Sequence, residues 1–267
     1  MSADIKYVKR RVSHHAQHSG YDILFSFMEI ENARSSFFNN LLSIIPASLK
    51  WRLYRLRPQA VLEQGLIPEL NALPFTMFGK QRLCHFIYGE DTFFYTPLWA
   101  NKHCKLVATY HYPEELLIER VNPAVIRVLD AVVIVSTSQK AYFHRFLDCN
   151  KIHFIPHHVD TGFFQPPENR KNMAEIRVIS IGSLLRNGQL LRDIINHIGA
   201  LENDTPVYFD LVIPKSKHPD YAGLKNVTLH SGISDDDLRL LYQRATVGFM
   251  PLTNCTANNG ILEMMAC

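Results

Sequence analysis

The stretch IRVISIGSLLRNGQLLRDII, residues 176–195, decides the fold. Its first six residues form an apolar, β-branched run of strand length. A turn from Gly182 to Gly188 follows. Beyond it Leu190, Leu191, Ile194, Ile195, Ile198 and Leu201 recur at helical spacing. Strand, glycine turn and amphipathic helix make the repeating unit of a parallel sheet covered by helices.

Working outward from it, the same rhythm continues to the end of the chain. Strands are expected at 207–213, 227–230 and 246–252. Ser234 with Asp237 reads as a capping box opening a helix over 235–244. A further helix begins at Asn258 and runs to Cys267. Toward the N-terminus, strands are expected at 84–88, 105–110, 131–136 and 152–155, with a weaker one at 5–12. The 131–136 strand, AVVIVS, is a continuous apolar run, as a strand buried on both faces requires. Helices are expected at 21–43, 114–129 and 138–147, the last with Ser138 as its N-cap. Residues 160–175 carry Pro166, Pro167, Glu168, Asn169, Arg170 and Lys171 without apolar periodicity, which reads as a linker. The organisation read from the sequence is thus a first domain over 1–160, a linker over 161–175 and a second domain over 176–267. The chain stops inside an apolar helical run, so the second domain is expected to be incomplete.

Composition narrows the function classes. The chain has 267 residues, 47% of them hydrophobic and 20% charged, which is ordinary for a water-soluble domain. A net charge of +3 implies no nucleic-acid partner. The five cysteines, at 84, 104, 149, 255 and 267, have no C-x-x-C pair, so neither a zinc site nor a disulfide framework is expected. Reduced thiols and the lack of an apolar signal-peptide core after Lys6, Lys9, Arg10 and Arg11 point to the cytoplasm. No apolar stretch approaches the ~20 residues of a membrane span. His14, His15 and His18 lie close in sequence, but no carboxylate or cysteine completes a ligand set, so no metal is expected.

Two loops carry candidate chemistry. In the turn 182–188, Gly182 would let the backbone approach a ligand, and a helix start attracts phosphate. Arg186 would add a forked, permanently charged donor. The second loop is NCTANNGILE, residues 254–263. Backbone N–H groups near Asn258, Asn259, Gly260 and Ile261 would suit a diphosphate. Glu263, a turn further on, would accept from ribose hydroxyls. Taken singly, each loop also reads as an ordinary capped strand–helix turn.

The two loops in this order resemble the donor domain of the retaining GT-B glycosyltransferases of family four. The tail ILEMMAC (261–267) is similar to that family's helix motif, and IPHHVDTGFF (155–164) to its interdomain segment. The resemblance covers 131–267 well and 1–130 loosely. It implies two Rossmann-like, doubly wound parallel-sheet domains of α/β class facing across a cleft. It further implies transfer of a sugar from a nucleotide diphosphate sugar to a hydroxyl, with retention, and with no metal and no separate cofactor. Gly182, Ser183, Arg186, Asn258, Asn259, Gly260, Ile261 and Glu263 would then hold the donor. The acceptor would be a carbohydrate or lipid-linked molecule. Cys255 stands where the family carries a first Glu, and Arg186-Asn187-Gly188 where it carries Lys-Gly.

The resemblance assigns the N-terminal half to the acceptor. SHHAQHSGY (13–21) resembles the family's glycine-containing loop, which makes Gly20 a donor contact and His18 a candidate. His111, after the 105–110 strand, resembles the family's histidine near the donor sugar, and is the catalytic candidate together with Arg186. It also reads as a hydrogen-bonded surface residue. Tyr88 and Glu90 follow the preceding strand as acceptor-side candidates. Leu49, Leu53 and Leu56 share a helical face with Lys50, Arg52, Arg55 and Arg57 around it. Residues 49–57 thus read either as a solvated helix or as a peripheral contact with the inner membrane face. Two rivals share the nucleotide site: a GT-B-like epimerase and a non-catalytic nucleotide-sugar-binding protein. A nicotinamide-dependent dehydrogenase would need G-x-G-x-x-G after the first strand, and none is present.

Overall fold

The computed structural model describes residues 4–9, 18, 20, 21, 23, 66–78, 81–169, 174–201 and 204–267. The expected helix at 21–43 falls almost wholly outside the described residues, and the basic segment 49–57 entirely so. The chain forms two compact units. The first takes Met1–Ser13 and Leu24–His157, and the second takes His14–Ile23 and His158–Cys267.

In the first unit, β1 (Asp4–Val8), α1 (Ile67–Met77), β2 (Arg82–Phe86), α2 (Gly89–Thr92), β3 (Cys104–Tyr110), α3 (Glu114–Arg120), α4 (Pro123–Ile126), β4 (Ala131–Ile134), α5 (Lys140–Phe143) and β5 (Ile152–Phe154) follow in order. All strand pairs are parallel, and the strands lie in the order β1-β2-β3-β4-β5. Phe86, Leu106, Ala108, Val132 and Ile134 from the sheet pack with Ala72, Leu117, Val125 and Phe143 from the helices. This is the apolar layer that the continuous strand runs predict.

Two helix expectations change in detail. The helix expected over 114–129 is broken into α3 and α4. Asn122 is extended before Pro123, and its side chain accepts from the Ala124 N–H, which starts a new helix instead of continuing the old one. The expected N-cap at Ser138 is instead Ser136. Ser136 has extended backbone and forms a reciprocal capping box with Gln139, which places Ser138 inside the first turn. An unexpected helix, α1, keeps its helical path through Pro74.

Within α1, Glu69 is fully buried and accepts from the backbone N–H groups of Phe94, Tyr95 and Thr96 and from the Thr96 hydroxyl. It thereby pins the turn after α2 to the helix. Burial pushes its carboxyl up to about 7, against the pull of those hydrogen bonds. Burial drives His85, which contacts the Thr109 hydroxyl at 2.8 Å, the other way, down to about 4. The two groups oppose each other in stability. Glu69 has a raised pKa, so its contribution is full at low pH and is lost as pH rises toward about 7. His85 has a depressed pKa, so its neutral form stabilises above the ordinary 6.5, and that stability is lost as pH falls toward about 4. Replacing Glu69 by Gln should remove the first effect and leave the second. Urea melts at pH 5 and pH 7 should then show the variant losing more stability on acidification than the wild type. An identical pH dependence would refute the assignment.

The second unit holds β6 (Ile176–Ile181), α6 (Gly188–Ala200), β7 (Val207–Val212), β8 (Val227–His230), α7 (Asp235–Arg244), β9 (Val247–Gly248) and α8 (Asn259–Ala266). Its strands lie parallel in the order β8-β7-β6-β9. Successive strands therefore step one way from β6 to β8, and the chain then returns to place β9 on the other side of β6. One core gathers Val178, Leu191, Ile195, Phe209 and Leu211. Another gathers Phe164, Ile179, Leu241 and Tyr242. Phe164, inside the stretch read as linker, is thus fully buried in the second unit.

Ser234 is the N-cap of α7 as expected, its hydroxyl accepting from the Asp237 N–H at 3.1 Å. The reciprocal arm of the capping box is replaced: the Asp237 carboxylate accepts from the Ser234 hydroxyl at 2.6 Å instead of from its backbone N–H. The strand expected at 246–252 contracts to β9. Past Gly248 the chain reaches Pro251, which has no N–H for a ladder, and its backbone is diverted to pair with the loop after β6.

Candidate functional site

The reversal of strand order beside β6 is where open α/β sheets bind ligands, because two adjacent loops diverge there at the strands' carboxyl ends. Here those loops are 182–187, after β6, and 250–258, after β9. Their backbones are tied together. The Asn187 N–H donates to the Pro251 carbonyl at 2.8 Å and the Thr253 N–H to the Leu185 carbonyl at 3.0 Å. Arg186 and Leu252 form an antiparallel bridge between these bonds.

Each loop ends in a helix start. Asn187 caps α6 by accepting from the Leu190 N–H at 2.9 Å. Asn258 caps α8 by accepting from the Ile261 N–H at 3.3 Å. Gly182 has φ of +75°, a left-handed conformation that side-chain-bearing residues avoid. A Cβ there would lie 3.8 Å from Nη2 of Arg186, so the guanidinium lies beside this bare stretch of backbone. Nη1 of Arg186 donates to the Leu184 carbonyl at 2.9 Å. Its Nε is buried with no hydrogen-bond partner among the described residues. Burial lowers the guanidinium pKa from its ordinary 12.5, and neighbouring Cys255 pushes it back up. Arginine stays charged through such a shift. Ser183 is exposed, while Asn259 and Ile261 are half-buried in the first turn of α8. Gly260 is buried, and a Cβ there would come within 3.8 Å of Ile181 at the end of β6. Tertiary folding therefore brings the two sequence-predicted donor loops together.

Glu263 is nearly buried, and its Oε2 accepts from the Tyr242 hydroxyl at 2.5 Å. Tyr242 carries no motif in the sequence. A partner on another helix, 21 residues away, leaves no local signal. The half-buried Cys255, in the loop before α8, has its N–H held by the Asn254 side chain at 2.7 Å.

The remaining candidates divide between the units. His18 belongs to the second. Its Nδ1 lies 3.1 Å from Asp160 Oδ2, and its ring stacks on Phe163 at 3.7 Å with 7° between planes. Gly20 is buried nearby in sequence, with its carbonyl accepting from the Ile23 N–H. The hydrogen bond to His18, with those from Gly162 and Phe163, lowers the Asp160 carboxyl, although burial, the largest single influence, acts to raise it.

Tyr88, Glu90 and His111 come together in the first unit, past the ends of β2 and β3. Gly89 makes this possible. A Cβ there would meet Tyr110 at 2.9 Å and Ala108 at 3.0 Å, so only glycine lets α2 lie this close to β3. His111 is buried rather than at the surface. Its Nδ1 is 2.9 Å from Glu90 Oε1, and its backbone N–H donates to Oε2 at 3.3 Å. A carboxylate at Nδ1 fixes the proton there and holds the ring in one orientation. Tyr88 lies tilted against the imidazole at 5.4 Å. Such a pair resembles the orienting half of acid–base sites. It is equally able to lock two loops in place.

Among the described residues no group of three or more His, Cys, Asp or Glu side chains is placed to hold a metal ion. Nor is any described helix long and apolar enough to cross a membrane.

Compared by sequence, the chain matches no protein-family model and none of the curated proteins. Compared by fold, it matches solved structures at low identity. One is the N-terminal domain of trehalose-6-phosphate phosphatase from Candida albicans, with a TM-score of 0.65 at 10% identity, covering 100% of this chain and 80% of that one. Another is Anabaena HepE, solved with UDP and glucose, with a TM-score of 0.56 at 11% identity over 100% of this chain and 79% of that one. A third is sucrose-phosphate synthase from Thermosynechococcus elongatus, with a TM-score of 0.52 at 15% identity over 69% of this chain. The chain spans 54% of the length of that synthase. The parallel α/β architecture is that of GT-B, Rossmann-like proteins.

Proposed function

We propose that the chain is a glycosyltransferase that binds a nucleotide diphosphate sugar in its second unit and passes the sugar to an acceptor hydroxyl. One observation carries this reading. At the strand reversal, two cross-paired loops set the half-buried Arg186 fork beside Gly182, between two asparagine-capped helix starts. A diphosphate suits that arrangement, since oriented N–H groups and a guanidinium both favour negative charge. The solved fold neighbour with UDP and glucose bound lends the reading further support.

In this mechanism the bond from the anomeric carbon to the diphosphate oxygen breaks. A new bond forms to the acceptor oxygen, and the departing phosphate takes the acceptor proton. Charge grows on the diphosphate as the bond breaks, and Arg186 with the helix-start N–H groups would stabilise it, as preorganised dipoles do. Gly182, Ser183, Asn258, Asn259, Gly260 and Ile261 would line the phosphates, Glu263 would hold the ribose, and Gly20 would add a backbone contact. His111 would be the catalytic contact to the donor sugar or the acceptor, and Glu90, Tyr88 and His18 would lie on the acceptor side. Retention at the anomeric carbon, independence from metal, a carbohydrate or lipid-linked acceptor and a cytoplasmic setting complete the proposal.

A screen of UDP-, GDP-, ADP- and TDP-sugars by thermal shift and by release of free nucleotide tests it. Stabilisation by one base class with slow nucleotide release is the expected result. Stabilisation without any release, on every acceptor offered, would favour the non-catalytic binding protein. Silence toward all four donors would sink the nucleotide-sugar reading.

A further inference from the structure

Tyr242 and Glu263 meet in the interior of the second unit, at 4% and 3% exposure. The phenol donates to Oε2 of the carboxylate at 2.5 Å. The ring is held in turn by Phe164, fully buried and edge-on to it at 6.0 Å, and Phe164 stands edge-on to Phe163 at 5.0 Å. The hydroxyl also lies under the first turn of α8, where a Cβ on Gly260 would come within 3.6 Å of it. A rotamer locked on one side by aromatic packing and on the other by the helix has little freedom to swing.

A buried carboxylate is costly unless it is hydrogen-bonded, and its direction is set by the donors that satisfy it. We infer that Tyr242 is a positioning residue that orients the Glu263 carboxylate for the ribose hydroxyls of a nucleoside diphosphate. The inference rests on the nucleotide-sugar reading above and adds a determinant of sugar-ring specificity to it. Burial and the neighbouring carboxylate push the phenol well above its ordinary range, so it stays protonated and remains the donor. The competing role is a plain tie between α7 and α8, which would support the fold without reading the ligand.

The two roles separate in a ratio. UDP, ADP and GDP are compared with their 2′-deoxy forms by calorimetry, and the pair on the base that binds is used. A hydrogen bond to a charged acceptor implies that the wild type favours the ribo form by about 10-fold or more. Glu263→Gln should bring the ratio close to one. Tyr242→Phe should lower it several-fold, with affinity for the 2′-deoxy form little changed. If Tyr242→Phe weakens both forms equally and leaves the ratio intact, Tyr242 is only a tie and the inference fails. A wild type that does not discriminate also overturns it, while binding of the diphosphate that depends on Arg186 keeps the broader reading. No binding of any nucleoside diphosphate overturns both. Should Tyr242→Phe fail to fold, 3-fluorotyrosine at 242 keeps the shape and strengthens the donor. An unchanged ratio there is equally decisive against the inference.

Discussion

Arg186→Ala should weaken nucleoside diphosphate binding by about 10- to 100-fold, the loss expected for charge-assisted hydrogen bonds to one guanidinium. The side chain is half-buried, its Nη1 is anchored on the Leu184 carbonyl, and its Nη2 stands beside the bare backbone of Gly182. The fork is thus fixed before any ligand arrives, so little rotamer entropy opposes binding. Arg186→Lys keeps the charge and loses the fork, so it should fall between alanine and wild type. Calorimetry with UDP, ADP and GDP measures the effect, and the free nucleoside of the same base supplies the control. The nucleoside should be nearly indifferent to the substitution, because it carries no phosphate. A change of less than twofold for the diphosphate would move the phosphate site elsewhere in the unit.

Asp210→Ala should destabilise the second unit by about 3 kcal/mol, the low end of the range for stripping one partner from a buried ion pair. Asp210 lies on β7 at 3% exposure and faces three cationic or protonatable groups. His230 is at 2.7 Å, Arg244 at 2.8 Å and Arg177 at 3.3 Å. These come from β8, the end of α7 and β6, so one carboxylate joins three strands to the helix. The estimate sits at the low end because the Arg244 side chain is 42% exposed and water partly screens its charge. Arg177 retains Glu175 at 2.6 Å, which also softens the loss. Asp210→Asn keeps the shape and should cost less, about 1–2 kcal/mol. Denaturant melts report both numbers. Asp210 adjoins Ile179 in the sheet register, close to the β6 end that carries Gly182. The alanine variant should therefore also soften nucleotide binding, through the support of the loop and not through contact with the ligand. An alanine variant as stable as wild type would show that the cluster contributes nothing net.

The sequence was most legible where the signal is local. IRVISI gave β6 with its observed bounds, VTLH gave β8, and Ser234 and Asn258 opened α7 and α8 as read. A strand run, a helical stripe and a cap are each written within about a dozen residues, and each forms by short-range hydrogen bonding and burial of one face. Errors clustered where a proline or a tertiary partner overrode the run. Pro123 split the 114–129 helix, and the pairing of 251–253 with the loop after β6 shortened the last strand.

The candidate site was legible only as two separate loops and a scatter of histidines. The sequence by itself determined an alternating α/β chain, a glycine turn after β6, a polar helix start near 258 and the set of side chains available there. Tertiary structure decided which of them meet. It put β9 beside β6, and so joined Arg186 to Leu252, which lies 66 positions further along the chain. It buried His111 against Glu90 and Glu263 against Tyr242, each pair 21 residues apart. Periodicity records which face of an element is apolar. It does not record which neighbour covers that face, because that choice is made by packing between elements distant in the chain.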